Sequence, residues 1–145
     1  MEEINVGDIV HLKGDEYGKV KFMALPASSY TYGVNADIQK HGLIFFNELT
    51  NVPETAASIP DACLTKKSLT KIAYKKDESR TPDSILIGDV VSLKINPDVK
   101  MVVYDTNTNG KDISVMYYNP LKGDISRVTS TPRECFDIYE ILVRE

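Results

Sequence analysis

Several things are scarce in this chain of 145 residues. No run of roughly 18 apolar residues occurs, so no membrane span is expected. The start, Met1-Glu2-Glu3-Ile4-Asn5, is acidic and has no basic-then-apolar segment, which argues against export. Two cysteines, Cys63 and Cys135, are too few and too far apart for a disulfide scaffold, and a reduced, cytoplasmic protein is expected. The two histidines, His11 and His41, both lie in the first half. With Cys63 they show no close spacing, whereas a metal site needs three or four convergent ligands. They read as surface histidines, and neither metal nor cofactor is expected. No phosphate-cradling glycine loop, nucleophile elbow or zinc-type cysteine spacing is present. The net charge of −4 is spread along the chain, which disfavours a sequence-independent nucleic-acid binder that would need a strong cationic face.

What the chain does have is a repeat. Ile4-Asn5-Val6-Gly7-Asp8-Ile9-Val10-His11-Leu12-Lys13 returns as Ile85-Leu86-Ile87-Gly88-Asp89-Val90-Val91-Ser92-Leu93-Lys94, at an offset of 81. Each copy places a Gly-Asp turn before a strand in which alternate residues share a face. Further on, Ile44-Phe45-Phe46-Asn47-Glu48-Leu49 matches Met116-Tyr117-Tyr118-Asn119-Pro120-Leu121 at an offset of 72, which holds to Ser58/Ser130, Pro60/Pro132 and Cys63/Cys135. The first copy is therefore nine residues longer, and Pro26–Lys40 is where the insertion must lie.

In the first copy, strands are expected at Val6–Lys13, Lys19–Leu25, Gly42–Leu49 and Leu69–Tyr74. Pro26 breaks the second strand, Asn47–Ser58 is polar, and Ile59–Leu64 forms a short helical turn. In the second copy, strands are expected at Ile87–Ile95, Lys100–Tyr104, Asp112–Asn119, Ile125–Ser130 and Ile138–Val143, with a turn at Asn109-Gly110 and another at Thr131–Phe136. The charged, proline-containing segment 75–83 reads as a linker. Five short strands in about 60 residues, with a helical turn before the last, is the layout of an SH3-like barrel. The expected fold is all-β, with two tandem small SH3-like barrels at 1–74 and 84–145 and the insertion at about 26–40.

Ile87-Gly88-Asp89-Val90-Val91-Ser92-Leu93-Lys94, Lys100-Met101-Val102-Val103, Val115-Met116-Tyr117-Tyr118-Asn119 and Pro132-Arg133-Glu134-Cys135-Phe136 resemble the YodC-like family of small bacterial domains of unknown function. The resemblance covers most of residues 85–141 and, more weakly, Val6–Leu69. That family usually carries a tryptophan-aromatic pair where this chain has Tyr117-Tyr118 and Phe45-Phe46, and this chain has no tryptophan. The resemblance implies architecture and carries no chemistry. Looser similarity to Tudor-type and KOW-type barrels implies binding of peptides, nucleic acids or ribosomal partners.

Cys63 and Cys135 occupy matching places beside Leu64 and Phe136, where a small apolar side chain fills a core, so both are expected to be buried. Asp8 and Asp89 are expected to accept backbone N–H bonds in their turns. The central strands do not alternate. With Leu43, Phe45, Val115 and Tyr117 assigned to the cores, Ile44, Phe46, Met116 and Tyr118 remain as an outward apolar strip. That strip is expected either to join the halves, or a second chain, or to form an open groove with Tyr118 as its anchor. Lys66, Lys67, Lys71, Lys75 and Lys76, with Tyr74 as a stacking partner, form the one candidate anionic contact. The expected function is a non-enzymatic interaction module for a protein or peptide, as monomer or homodimer. A nucleic-acid- or ribosome-associated module is the alternative, and no catalytic constellation can be assembled.

Overall fold

Both copies open on the same hydrogen-bonded frame. The computed structural model describes residues 3–15, 20–29, 39–67, 72–107 and 110–143. Gly7 stands at φ +91° and Gly88 at +95°, a left-handed conformation that a side chain would strain. The Asp8 carboxylate accepts the Asn5 N–H at 2.8 Å, and that of Asp89 accepts the Leu86 N–H at 2.7 Å. Gly7 N–H donates to Ala24 O and Ala24 N–H to Asp8 O. Gly88, Val103 and Asp89 repeat that pair of bonds within 0.1 Å. The unusual backbone recurs as well, since Ser58 and Ser130 take φ of 58° and 50°.

The chain is all-β, with two curled antiparallel sheets and no α-helix among the described residues. The first half contributes β1 (Ile9–Leu12), β2 (Phe22–Ser29), β3 (Gln39–Asn47), β4 (Val52–Pro60) and β5 (Leu64–Thr65), with a 3-10 turn at Asp61–Cys63. Next come β6 (Ile72–Lys76) and a 3-10 turn at Pro82–Ser84. The second half follows with β7 (Val90–Leu93), β8 (Met101–Thr106), β9 (Asp112–Asn119), β10 (Asp124–Pro132), a 3-10 turn at Arg133–Cys135 and β11 (Phe136–Val143). The sheet orders are β4-β3-β2-β1-β5 and β10-β9-β8-β7-β11-β6. In each half the first strand pairs on one side with the second strand and on the other with the strand after the 3-10 turn, which curls the sheet into a small barrel-like unit.

Several local expectations are corrected. The polar stretch Asn47–Ser58 contains β4, a nine-residue strand. It is an edge strand, which tolerates Pro53, and its repeat mate β10 sits on the corresponding edge. Pro26 does not end β2. The register shifts between Ala24 and Ala27 and the strand continues to Ser29, as a bulge permits. The insertion is also divided: Ile9 pairs with Met23 but Val90 with Val102, so two of the nine extra residues lie between β1 and β2 and seven between β2 and β3, where residues 30–38 lie outside the described residues. The closing strand expected at Leu69–Tyr74 is β6, Ile72–Lys76, and it hydrogen-bonds to β11 of the second half, with Tyr74 opposite Ile141. Lys75 and Lys76 of the expected linker are therefore in a strand. The rest of that segment is tied down too. The Arg80 guanidinium clamps the Asp89 carboxylate through bonds of 3.1 and 2.7 Å, and buried Arg133 donates to the carbonyls of Pro82 and Ile85.

The two cores differ in kind. Ile85, Val91, Met101, Val103, Ile113, Val115, Phe136 and Ile138 form a cluster wholly within the second half. The cluster of the first half runs from Ile4 through Val10, Phe22, Leu43, Phe45 and Cys63, and it also takes in Val102 and Met116 of the second half. Strand β8 thus buries both faces, Met101 and Val103 inward and Val102 into the other half. This is why its sequence does not alternate.

Candidate functional site

The seam between the halves begins where Gly88 presses on the 3-10 turn of the first half. A Cβ at Gly88 would stand 2.7 Å from Ala62 O and 2.9 Å from Ala62 Cβ. One residue on, the Cys63 thiol donates to Val103 O at 3.2 Å. Burial with no water to solvate a thiolate pushes the Cys63 pKa up to about 12. At the far end of the seam, the Asn47 carboxamide donates to Lys122 O at 3.3 Å, and any side chain at Gly123 would collide with it. The Tyr74 hydroxyl accepts the Gly14 N–H at 2.9 Å, which ties β6 to the end of β1.

Along this seam lies a cleft of about 330 Å³, walled by both halves. Leu12, Gly14 and the Lys13 side chain come from the end of β1, and Val99, Tyr117, Tyr118 and Pro120 from the second half. Three carboxylates, Asp15, Glu48 and Asp98, border it. The Tyr118 hydroxyl is held above its ordinary pKa, first by burial and then by the neighbouring charges of Glu48, Asp15 and Asp124. Lys100 also lines the cleft, but its ammonium donates to Pro97 O at 2.6 Å and lies 4.6 Å over the Tyr139 ring. The lining of the cleft therefore combines apolar and aromatic side chains with three carboxylates and two lysines.

The four residues of the outward strip have separate fates. Met116 is fully buried in the core of the first half, and Tyr118 is half-buried against that core and forms part of the cleft. Ile44 is half-buried and Phe46 is 60% exposed. Among the core assignments, Leu43, Phe45 and Val115 are buried and Tyr117 packs partly buried on the second core.

The lysine cluster is distributed rather than convergent. Lys66 lies 3.6 Å from Asp8 and Lys76 3.7 Å from Asp137, while Lys75 stands opposite Glu140 across β6 and β11. Lys67 is exposed, and Lys71 lies outside the described residues. Tyr74 is half-buried and its hydroxyl accepts the Gly14 N–H.

Two expectations fail for packing reasons. Cys135 is exposed, although its mate Cys63 is fully buried. The second half covers the 3-10 turn of the first at Cys63, whereas in the turn of the second the segment 82–85 covers Arg133 and leaves Glu134 and Cys135 exposed. His41 is no surface histidine. It is 1% exposed, and its Nδ1 lies 2.6 Å from the Asp61 carboxylate, on the strand packed behind that turn. His11 is half-buried, with Nδ1 3.2 Å from Val20 O. Sequence reasoning missed the His41–Asp61 pair because the mates of these residues, Ile113 and Arg133, give no such pair. Among the described residues, no three of His, Cys, Asp and Glu converge as metal ligands would.

Set against known protein families, characterised proteins and solved structures, the chain matches none of them.

Proposed function

We propose that this protein is a non-enzymatic, peptide-binding module whose site is the cleft between its halves. The observation that carries the reading is the composition of that cleft: Tyr117, Tyr118 and Val99 from the second half, Leu12 from the first, and the three carboxylates Asp15, Glu48 and Asp98 against Lys13 and Lys100. A volume of about 330 Å³ is at the small end of ligand pockets and suits one or two side chains of an extended peptide. The matching ligand is a segment with an aliphatic or aromatic anchor next to a lysine or arginine. The anchor lies on Tyr118, and the cation meets the carboxylates. The nucleic-acid alternative is less well supported, because Lys66 and Lys76 face acidic partners.

The test is an NMR titration of the full chain with a library of short peptides sorted by charge, alongside an RNA oligonucleotide. Amide shifts gathered at Gly14, Glu48, Val99 and Tyr118, strongest for hydrophobic-cationic peptides and lost in Tyr118→Ala, support the reading. Shifts centred on Lys66–Lys76 with RNA, falling steeply with salt, would favour the alternative.

A further inference from the structure

The contact between the halves joins two unlike surfaces. The first half gives its 3-10 turn, Ala62 and Cys63. The second gives the outer face of its sheet, with Val102 and Met116 fully buried beneath the first half and Gly88 against Ala62. Because the halves are repeats with the same hydrogen-bonded frame, each surface has a counterpart in the molecule, exposed at Ile9 and Met23 on the face and at Glu134, Cys135 and Ile95 on the end, where Arg133 is covered by Pro82 and Ile85.

On the first half, the open surface is the outer sheet face. Ile9 pairs with Met23 and Met23 with Ile44, as Val90 pairs with Val102 and Val102 with Met116. Val90 and Val102 are 1% and 0% exposed, while their mates Ile9 and Met23 are 50% and 41% exposed. Val6 and Phe46, mates of the half-buried Ile87 and Tyr118, are 63% and 60% exposed. Gly7 has the φ of Gly88, but a Cβ there would meet nothing within 4 Å. On the second half, the open surface is the end around the 133–135 turn. Glu134 and Cys135 stand in the places of Ala62 and Cys63, and both are exposed. Beside them Ile95, the mate of the tucked-in Gly14, is 90% exposed.

We propose that the chain associates head to tail with a second copy of itself, the outer face around Ile9, Met23 and Phe46 receiving the Cys135-bearing end of the next molecule. The occupant follows from the repeat. A face of this pattern already accepts a 3-10 turn end once within each chain, and each chain carries a further exposed face and a further turn whose Glu134 and Cys135 are exposed. A large apolar face on a monomer marks an interaction surface, and here the complementary surface lies on the same molecule. The contact is heterologous, so it generates a closed ring if the rotation per chain allows and a filament otherwise. The copy is not identical to the intramolecular contact. Asn51 stands in the place of Gly123, and its Cβ opens the seam at that edge relative to the Asn47–Gly123 approach.

A heterologous contact has a decisive signature in mixtures. The full chain is studied by sedimentation velocity from micromolar to millimolar concentration, with Phe46→Lys blocking the face and Ile95→Lys blocking the end. Both side chains are mostly exposed, so both variants should keep the wild-type melting temperature, and Ile9→Lys replaces Phe46→Lys if that variant unfolds. The expected result is mass that rises with concentration in the wild type, each variant monomeric alone, and a 1:1 mixture that forms dimers and nothing larger. Cys135 should also react more slowly with a maleimide as the wild-type concentration rises. A wild type that stays monomeric throughout overturns the proposal. So does an Ile95→Lys variant that still dimerises, which would mean face-to-face pairing, or a mixture that remains monomeric.

Discussion

Gly7 and Gly88 are an internal control for the contact between the halves. Both precede an aspartate, both take φ of about +90°, and both donate the same backbone bond. An alanine at either position pays for the left-handed conformation, roughly 1–2 kcal/mol. Only at Gly88 does the new methyl group meet another element, with Ala62 O at 2.7 Å and Ala62 Cβ at 2.9 Å. Those atoms are backbone and a Cβ, so no side chain can swing aside. Relief requires the halves to part by some tenths of an ångström where Val102 and Met116 are fully buried. Overpacking of this kind costs a further ~1–3 kcal/mol. Urea unfolding of both variants under dilute conditions, with m unchanged, measures the two costs on one scale. Gly7→Ala should lose roughly 1–2 kcal/mol and Gly88→Ala roughly 2–5 kcal/mol. Equal losses, to within about 0.5 kcal/mol, would refute the claim that Gly88 is pressed against the first half.

The two thiols should separate cleanly: a thiol reagent on the native protein should modify Cys135 and leave Cys63 intact until unfolding, and labelling of both would contradict the buried seam. Because the Cys63 pKa is raised from 9.0 to about 12 in the folded state, its protonated form stabilises the fold fully below pH 9. That contribution fades as the pH climbs from 9 to 12, by up to ~4 kcal/mol, and the pH dependence of urea midpoints in wild type against Cys63→Ala should show the difference. His41→Phe leaves the Asp61 carboxylate without its 2.6 Å partner and should cost roughly 1–3 kcal/mol in chemical denaturation, with Asp61→Asn costing less because an acceptor for the ring N–H remains. A fragment of residues 72–145 keeps the six-stranded sheet and its own core and should melt cooperatively. A fragment of residues 1–67 loses Val102 and Met116 from its core and should not, and cooperative melting of both would show the halves to be independent.

The architecture was legible because it is written locally and written twice. Gly-Asp before alternating Ile9–Leu12 and Val90–Leu93, and the Pro-x-x-Cys turns at 60–63 and 132–135, each bring their own backbone chemistry. The strand β4 was obscured by Pro53, although its mate β10 reads plainly, so the repeat held the signal that composition hid. Even the seam left a trace, since an outward strip containing Met116 and Tyr118 cannot stay in water without cost.

The sequence by itself determined most of the strands and the equivalence of the halves, because turn frames and left-handed glycines depend on residues close in the chain. It could not determine which copy covers which. Cys63 and Cys135, Ile9 and Val90, and Gly7 and Gly88 are nearly the same in type and pattern, yet one of each pair is buried or pressed against a neighbour and the other open. That asymmetry, the pairing of β6 with the second sheet, and the cleft walled by Leu12 and Tyr118 were decided by the tertiary structure alone. When two similar units pack through unlike surfaces, one specimen of each surface is used and the other is left over, and no local property of the chain says which.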